Sequence, residues 1–330
     1  MLSKMLDFRA ATAQFETRDG DKSYNLSRIE ELSRRAAADG AQLVCFHELS
    51  VTGYTFLERL SHEEVTQLSE PVGAESTRAL QDIARRNGVL VAAGIVERAG
   101  DRCYNTHLVV SGDAVLAGHR KIHEFVSPHL ALGDRYTIFE ALGARIGILT
   151  CYDNNLPENA RMTAMLGADV ILAPHVTGCL PSPAPGRGIV EPHIWHERRE
   201  QPARCRAEFD GPKGRGWLMK WLPARAWENG VYVIYSNVLG VDGGTIKPGG
   251  SLILDPYGEV IAECRSLDDE VVTATLRADA RELASGATYI RARRPALYSK
   301  MVEPNPYLSA DARPEVYWQR IRPRQPWEEK

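Results

Sequence analysis

The sequence has no apolar run long enough to cross a membrane and no excess of basic residues. Its 330 residues carry a formal net charge of −3, which argues against a general binder of nucleic acid or anionic membranes. No window approaches the ~18 consecutive apolar residues of a membrane span. The start of the chain has no apolar secretory core, so we expect a cytoplasmic protein without nucleic-acid or membrane partners.

Paired cysteine motifs and nucleotide-binding glycine loops are also missing. The glycine pairs at 243–244 and 249–250 lie between predicted strands, whereas a nucleotide loop joins a strand to a helix. His193 and His196 are typical of a solvated loop, so we predict no metal site. In a reducing compartment we expect free thiols at all six cysteines, which are Cys45, Cys103, Cys151, Cys179, Cys205 and Cys264.

What the sequence does contain is a regular alternation of strands and helices in a chain that is 44% hydrophobic. Strands are predicted at residues 8–15, 41–47, 89–97, 169–174 and 231–237, and helices at 25–38, 77–86, 159–166 and 221–229. Asn25 is the expected N-cap of the first helix. Parallel strands joined by helices need cover on both faces, so we predict one layered α/β domain over residues 1–304.

Two segments depart from this pattern. The stretch from about 176 to 223 begins with a proline-rich sequence that is typical of loops, and we interpret it as an insertion over the active-site face. Its arginines are balanced by glutamates, which indicates a charged lid or a subunit contact. Residues 305–330 are rich in proline and charge, and we expect an extended tail there.

Residues 144–161 predict a strand, a sharp turn and a helix, with Cys151 at the turn and Pro157 opening the helix. Free N–H groups at a helix N-terminus favour negative charge, so we expect a lowered pKa and nucleophilic character for Cys151. The alternative is an inert buried thiol, which is the common state of a free cysteine.

Glu48 and Lys121 share the structural position of Cys151, just past the carboxyl end of a predicted strand, where sites form in open α/β sheets. A thiolate attacks a carbonyl or nitrile carbon, and a carboxylate moves the proton. A lysine ammonium, together with the backbone N–H of Tyr152, stabilises the oxyanion. These three residue types therefore predict acyl-transfer chemistry.

Three segments resemble the motifs of the nitrilase, or carbon–nitrogen hydrolase, superfamily: residues 46–54 (FHELSVTGY), 119–123 (HRKIH) and 147–153 (GILTCYD). Residues 225–230 and 236–237 resemble its later motif. The resemblance runs in order from about residue 8 to 276. It implies a four-layer αββα sandwich, a homodimer or higher homo-oligomer, a Glu48–Lys121–Cys151 triad and no cofactor. Members hydrolyse non-peptide C–N bonds through a thioester.

The residues beside the nucleophile favour one branch of this superfamily. Amidases and carbamoylases tend to have Cys-x-Asp, as in Cys151-Tyr152-Asp153, whereas true nitrilases tend to have tryptophan after the cysteine. Many members also carry a second glutamate several residues after the lysine. This second glutamate helps to position the substrate and the lysine. At its place this sequence has Pro128 and His129, so either Glu124 or His129 takes over that role, or the role is absent.

Other residues near these strand ends are candidates for substrate contact or support. His175, Thr177 and Asn237 follow or end strands on the same face, and are substrate contacts or, alternatively, polar strand caps. Asp153 is expected to support the turn. Glu158 and Arg161 flank the first helical turn after Cys151, and we expect them to form an ion pair that fixes it.

The sequence thus predicts a thiol-dependent hydrolase that cleaves a small amide or carbamoyl substrate and releases ammonia or an amine. A true nitrilase that converts a nitrile to a carboxylic acid would use the same residues. A soluble acyltransferase and a non-catalytic assembly protein are further alternatives.

Overall fold

Two β-sheets stack face to face and carry helices on their outer surfaces. The computed structural model describes residues 5–182 and 184–306. In chain order the strands are β1 (Phe8–Gln14), β2 (Leu43–Cys45), β3 (Leu90–Ala99), β4 (Arg102–Val110), β5 (Val115–Arg120), β6 (Leu130–Ala131), β7 (Thr137–Ala141), β8 (Ala144–Ile148), β9 (Val170–His175), β10 (Tyr232–Asn237), β11 (Leu239–Asp242), β12 (Thr245–Pro248), β13 (Leu252–Leu254), β14 (Val260–Glu263) and β15 (Glu270–Leu276).

The α-helices are mostly short and lie between these strands. They are α1 (Lys22–Ala38), α2 (His62–Leu68), α3 (Glu75–Asn87), α4 (Pro157–Met165), α5 (Pro192–His196), α6 (Pro202–Asp210), α7 (Arg215–Leu218), α8 (Leu222–Trp227), α9 (Ala278–Leu283) and α10 (Gly286–Arg291). Single 3₁₀ turns occupy Thr55–Arg59, Cys151–Asn155, Pro295–Leu297 and Ser299–Val302.

Each sheet has a parallel centre and antiparallel neighbours. The first runs β15–β1–β2–β3–β4–β5, with β6 beside β4, and β1, β2 and β3 are parallel. The second runs β14–β13–β10–β9–β8–β7, with β8, β9 and β10 parallel. Because β4 reverses between β3 and β5, β5 runs in the same direction as β2. The carboxyl ends of the strands that precede the candidate residues therefore lie at one edge of each sheet.

Apolar side chains fill three layers. Residues of both sheets, including Leu43 and Leu172, pack against each other in the middle layer. The outer face of the first sheet packs on α1 and α3, and that of the second sheet packs on α4 and α8. Since the central strands are covered on both faces, they read as continuous apolar runs in the sequence. The molecule is a four-layer αββα sandwich, as predicted.

The start of α1 differs from the prediction. Its N-cap is Asp21, whose carboxylate accepts a hydrogen bond from the backbone N–H of Tyr24. The predicted cap, Asn25, lies one turn inside the helix, where its buried amide donates to the carbonyls of Arg18 and Val51. Asn25 thus joins the helix to the loop after Glu48 rather than capping the helix.

The predicted insertion contains regular structure. Residues 176–223 hold α5, α6 and α7 and enter α8. Pro192 and Pro202 stand in the first turn of their helices, where proline is favoured because its missing N–H would have no partner. These helices are too short to repeat a 3.6-residue period, so the sequence pattern did not predict them, whereas the described residues of the proline run at 181–188 form no helix or strand. Their buried side chains pack against β11 and β12.

In the described part of the chain, no helix has the length and apolar character needed to cross a membrane. Most of the predicted C-terminal tail, residues 307–330, lies outside the described residues.

Candidate active site

Glu48, Lys121 and Cys151 meet at the strand ends. Glu48 lies three residues after β2, Lys121 directly after β5, and Cys151 three residues after β8. The Nζ atom of Lys121 is 2.7 Å from Oε1 of Glu48. Glu48 is fully buried, and only 1% of Lys121 and 6% of Cys151 are exposed. The carboxylate, the ammonium and the thiol that were predicted to act together therefore share one pocket with little access to water.

Lys121 is held as an ammonium by its neighbours. It donates to Glu48 and to the hydroxyl of Tyr54, 3.0 Å away, and it lies 3.7 Å from Oε2 of Glu124. The ring of Phe125 also faces the ammonium, at 4.7 Å. Burial alone would lower the pKa of Lys121, but the charges of Glu124 and Glu48 more than offset burial and raise it.

Glu124, rather than His129, faces the lysine. Its Oε1 accepts hydrogen bonds of 2.8 Å from the backbone N–H groups of Phe125 and Val126. His129 instead packs against the ring of His62, 5.6 Å away. His129 lies in the turn before β6, whose first residue, Leu130, is buried. Of the alternatives that the sequence left open, the structure places Glu124 beside Lys121.

Asn105 on β4 links the two carboxylates and was missed in the sequence. Its Nδ2 donates to Oε1 of Glu48 at 2.7 Å and to Oε2 of Glu124 at 2.9 Å. The only available signal was a short polar stretch, residues 105–107, inside an otherwise apolar strand. Asn105 fixes both carboxylates against Lys121. Oε2 of Glu48 has no hydrogen-bond partner among the described residues, and the Glu48 carboxylate lies close enough to Cys151 to raise the pKa of its thiol.

Cys151 sits in a strained turn. Its φ angle is +50°, in the left-handed region that a non-glycine residue rarely adopts. Burial and the negative charge of Glu48 raise the pKa of the thiol, and the opposing effect of Lys121 does not reverse this. The lowered pKa predicted from the helix N-terminus is therefore wrong. The physical reason is that the low-dielectric pocket and a nearby carboxylate outweigh the terminal N–H groups.

Asp153 ties this turn to the segment that carries Lys121. Its carboxylate accepts hydrogen bonds from the backbone N–H groups of Thr150 at 3.2 Å, Ile122 at 3.3 Å and His123 at 2.9 Å. The rings of His119 and His123 lie within 3.2 Å and 2.9 Å. Burial would raise the pKa of Asp153, but the hydrogen bonds from these histidines lower it. The carboxylate stays ionised and joins the two strand ends.

Arg225, and not a Glu158–Arg161 pair, holds the far side of the turn. Glu158 is exposed, and Arg161 forms no ion pair with any residue in the described ranges. Nε and Nη2 of Arg225 donate to the carbonyls of Asn154 and Asn155, each at 3.0 Å. The predicted ion pair is wrong because the turn exposes backbone oxygens, which a guanidinium from α8 reaches.

His175, Thr177 and Asn237 lie together beside the nucleophile. The Asn237 amide accepts from Thr177 N at 2.9 Å and donates to Thr177 O at 3.1 Å. His175 contacts Nδ2 of Asn154 at 3.1 Å and packs on Tyr235, and burial lowers the pKa of its ring to about 3. These contacts position the loops around Cys151. Direct contact of the three residues with substrate stays a prediction.

A small cavity of about 20 Å³ borders this region. Thr177 and Tyr235 line one side of it, and Phe209 and Trp217 from α6 and α7 line the other. The segment predicted as an insertion therefore supplies one wall of a cavity next to the strand ends.

Tyr152, predicted to offer its backbone N–H, contacts the rings of Phe125 and His123 edge-on.

No cluster of three or more His, Cys, Asp or Glu side chains suited to a metal ion occurs in residues 5–182 and 184–306. His193 and His196 lie on α5, and Nε2 of His193 is 3.0 Å from Nη2 of Arg204. All six cysteines are buried and unpaired.

Comparison with known proteins extends these observations. A solved amidase of Nesterenkonia sp. AN1 superposes with a TM-score of 0.66 at 24% identity, over 89% of this chain and 100% of that chain, which supports the fold. A nitrilase of Pyrococcus abyssi is 32% identical, over 78% of this chain and 84% of that protein. An (R)-stereoselective amidase of Pseudomonas sp. is 30% identical, over 76% and 78%.

A potato N-carbamoylputrescine amidase is 26% identical, over 88% of this chain and 94% of that protein. The family model described as carbon-nitrogen hydrolase matches residues 9–285, which spans most of the chain. The protein belongs to the carbon–nitrogen hydrolase family.

Proposed function

We propose that this protein hydrolyses the C–N bond of a small amide or carbamoyl substrate through a thioester on Cys151. The observation that carries the proposal is the buried Lys121 ammonium held 2.7 Å from Glu48 beside the Cys151 thiol. A carboxylate, an ammonium and a thiol in one pocket supply the base, the oxyanion partner and the nucleophile of acyl transfer. Glu124 and Asn105 position Glu48 and Lys121 for these roles.

The raised pKa of Cys151 sets the order of proton transfer. The resting thiol keeps its proton, so Sγ attacks the carbonyl carbon as Oε2 of Glu48 takes that proton. Burial and the charge of Glu124 raise the pKa of Glu48, against the effect of Lys121, and this suits a group that must both accept and return a proton. Lys121 and the Tyr152 N–H stabilise the oxyanion.

The tetrahedral intermediate then collapses with cleavage of the C–N bond, and Glu48 returns the proton to the leaving ammonia or amine. A C–S bond to the acyl group remains. Water, deprotonated by Glu48, adds to the thioester carbon, the C–S bond breaks and the thiol is restored. Both half-reactions use the same Lys121 ammonium, whose raised pKa keeps it charged throughout.

An amide or carbamoyl substrate is favoured over a nitrile by the Cys151-Tyr152-Asp153 sequence and by relatives named as amidases. Nitrile hydrolysis is the second candidate, because a relative at 32% identity is named a nitrilase. A panel of primary amides, carbamoyl amino acids and nitriles, with ammonia and acid products measured by mass spectrometry, separates the two. Acid formed from nitriles without activity on amides would refute the amidase proposal.

Variants test the proposed covalent step. We expect Cys151→Ala to abolish hydrolysis, whereas Cys264→Ala, which removes another buried thiol, retains it. Rapid acid quenching of wild-type turnover should reveal the acyl half of a cleaved substrate as a mass increase on Cys151. A Cys151→Ala variant with unchanged activity would contradict the mechanism and favour a non-catalytic role, and acyl transfer to added hydroxylamine in excess over hydrolysis would favour a transferase.

We further propose that the protein is a cytoplasmic homodimer or larger homo-oligomer. Support for self-association comes from exposed apolar side chains around α4, α8 and α10, where Met165 is 39%, Trp227 48% and Tyr289 40% exposed. The rings of Trp227 and Tyr289 lie 5.3 Å apart, so the exposed apolar surface is continuous between α8 and α10. Six buried free thiols support a reducing compartment. Light scattering of Trp227→Glu against wild type tests the surface: a smaller particle is expected, and unchanged mass would refute it.

A further inference from the structure

A second buried lysine lies near the nucleophile and has no countercharge bound to it. Lys247, on β12, is fully buried, and its Nζ donates to Oγ1 of Thr245 at 2.8 Å. It forms no ion pair with any residue in the part of the chain that the structure describes. A buried ammonium without a bound anion costs several kcal/mol, and a single hydroxyl satisfies only one of its three donors.

The hairpin of β11 and β12 places this lysine between two loops of the candidate active site. On one side, Asp242 accepts hydrogen bonds from the backbone N–H groups of Tyr54 at 3.4 Å and Thr55 at 3.2 Å. The hydroxyl of Tyr54 is the one that contacts Lys121. The hairpin is therefore anchored to the residue that also touches the proposed catalytic lysine.

On its other side the hairpin packs against the segment that follows β9. A Cβ on Gly178 would lie 2.7 Å from Cγ of Pro248, so the backbone of Gly178 packs closely against the proline ring. The Asn237 amide also joins Thr177 to the carbonyl of Gly249 at 3.0 Å. The carbonyl of Val176, in the same segment, lies 3.8 Å from Sγ of Cys151. Lys247 thus lies in the wall that this segment and the Tyr54 loop share.

Electrostatic effects place the ammonium within range of the nucleophile. Burial lowers the pKa of Lys247, while the negative charge of nearby Asp242 opposes that shift. Cys179 and Cys151, which burial keeps as thiols, also lie within electrostatic range of Lys247. Asp242 does not bond to the ammonium, since its carboxylate is engaged by the Thr55 hydroxyl and two backbone N–H groups. The nearest carboxylate is therefore already engaged by other donors, and the Thr245 hydroxyl is the one hydrogen-bond partner of Lys247 among the described residues.

We propose that Lys247 is a specificity-determining residue that binds a carboxylate of the substrate, placed a few bonds from the scissile carbonyl. The inference rests on the proposed amide hydrolysis. The carboxylate belongs either to the acyl group, as in the monoamide of a dicarboxylic acid, or to the leaving amine, as in an N-carbamoyl amino acid. In both cases the substrate supplies the countercharge that the protein lacks at this position.

The wild-type protein gives the first test. kcat/KM is measured for monoamides of dicarboxylic acids of increasing length, each paired with the amide in which an isopropyl group replaces the carboxylate. N-carbamoyl amino acids and N-carbamoyl alkylamines form the second arm, which identifies the side that carries the charge. We expect the best anionic member of one arm to exceed its neutral partner by about 10- to 100-fold, as a hydrogen bond to a charged group provides.

Variants give the second test. In Lys247→Met the preference for the anionic member should fall to about that of its neutral partner, whereas Lys220→Met, an exposed lysine near α7, should keep the wild-type ratio. A Lys247→Met variant that loses both substrates of a pair equally would assign Lys247 to structure and overturn the proposal. Even if this variant does not fold, a wild-type protein that shows no preference for the anionic member of any pair would overturn the proposal.

The outcomes separate the two proposals. Cleavage of neutral amides without any preference for a carboxylate would overturn the role of Lys247 and leave amide hydrolysis intact. Failure to cleave every amide and carbamoyl compound in both arms would refute amide hydrolysis and the role of Lys247 together.

Discussion

Replacing Glu124 by glutamine removes one of the two negative charges that face Lys121 and keeps the shape of the side chain. Oε1 of Glu124 accepts two backbone N–H groups at 2.8 Å, and the amide oxygen of glutamine can keep both bonds. Oε2 accepts Nδ2 of Asn105 at 2.9 Å and lies 3.7 Å from the Lys121 ammonium. In the variant the NH₂ group of glutamine would replace Oε2, so the Asn105 amide and the Lys121 ammonium would each face a donor in place of an acceptor.

The structure sets the size of the effect. Two unit charges 3.7 Å apart attract by about 4 kcal/mol at an effective dielectric constant of about 20. This limits the loss of rate to about 10³-fold. One lost hydrogen bond to a charged group, worth about 1.5–3 kcal/mol, accounts for about 10- to 100-fold. We therefore expect kcat on a small amide to fall about 100-fold in Glu124→Gln.

The pH dependence separates a role in catalysis from a role in folding. The charge of Glu124 contributes, after burial, to the raised pKa of Glu48. Without that charge the pKa of Glu48 falls, so Glu48 stays ionised and able to accept a proton at lower pH. The acidic limb of the kcat/KM profile should therefore move to lower pH in the variant. Steady-state release of ammonia across the pH range measures both changes.

Glu158→Gln is the matched control, because Glu158 is exposed in the first turn of α4 and should give a rate and Tm close to wild type. The reasoning is refuted if a folded Glu124→Gln variant shows the wild-type kcat and an unshifted acidic limb. That result would assign Glu124 to the loop backbone alone.

Three further predictions concern the turn, the buried histidines and the thiol. Arg225→Met should lower the unfolding free energy by about 3 kcal/mol in urea denaturation, since two charge-assisted hydrogen bonds to the turn carbonyls are lost; a change below about 1 kcal/mol would contradict this role. Burial lowers the pKa of three histidine rings to about 3, so between about pH 6.5 and pH 3 only the unfolded chain binds these protons. These histidines are His47, His107 and His175. The unfolding free energy should therefore fall by up to about 4 kcal/mol for each pH unit of acidification. A Tm that does not change between about pH 4 and pH 6 would contradict this prediction. Iodoacetamide should modify Cys151 at pH 7 more slowly than a thiol in a short peptide, because burial and Glu48 raise its pKa; intact mass follows the reaction, and faster modification would show a thiolate at rest.

Several local features were readable from the sequence because their causes are local. Apolar runs over residues 41–47 and 169–174 predicted buried strands, which the structure places as β2 and β9 at the centres of the two sheets. Gly88 predicted the end of α3, and it adopts a φ of +64° in the left-handed conformation that glycine favours. Parallel strands then placed Glu48, Lys121 and Cys151 at strand ends without any knowledge of their contacts.

Other expectations failed where distant parts of the chain meet. The Glu158–Arg161 ion pair was inferred from helical spacing. In the structure the turn is held instead by Arg225, more than 60 residues away in the sequence, which donates hydrogen bonds to the turn carbonyls. The stretch after the proline run at 181–188 showed no clear period, but it forms short helices, of which α5 and α6 pack against β11 and β12. Helices of four to nine residues depend on such packing, since they are not stable alone.

By itself, the sequence determined the central strands and the longer helices, the layered architecture and the residue types gathered at the strand ends, because periodicity and turn chemistry are properties of neighbouring residues. Tertiary structure alone decided the protonation of Cys151, the choice of Glu124 over His129, and the burial of Lys247 without an ion pair. Each of these depends on the charges and the exclusion of water around a side chain. Segments from both sheets create that environment only after they pack together.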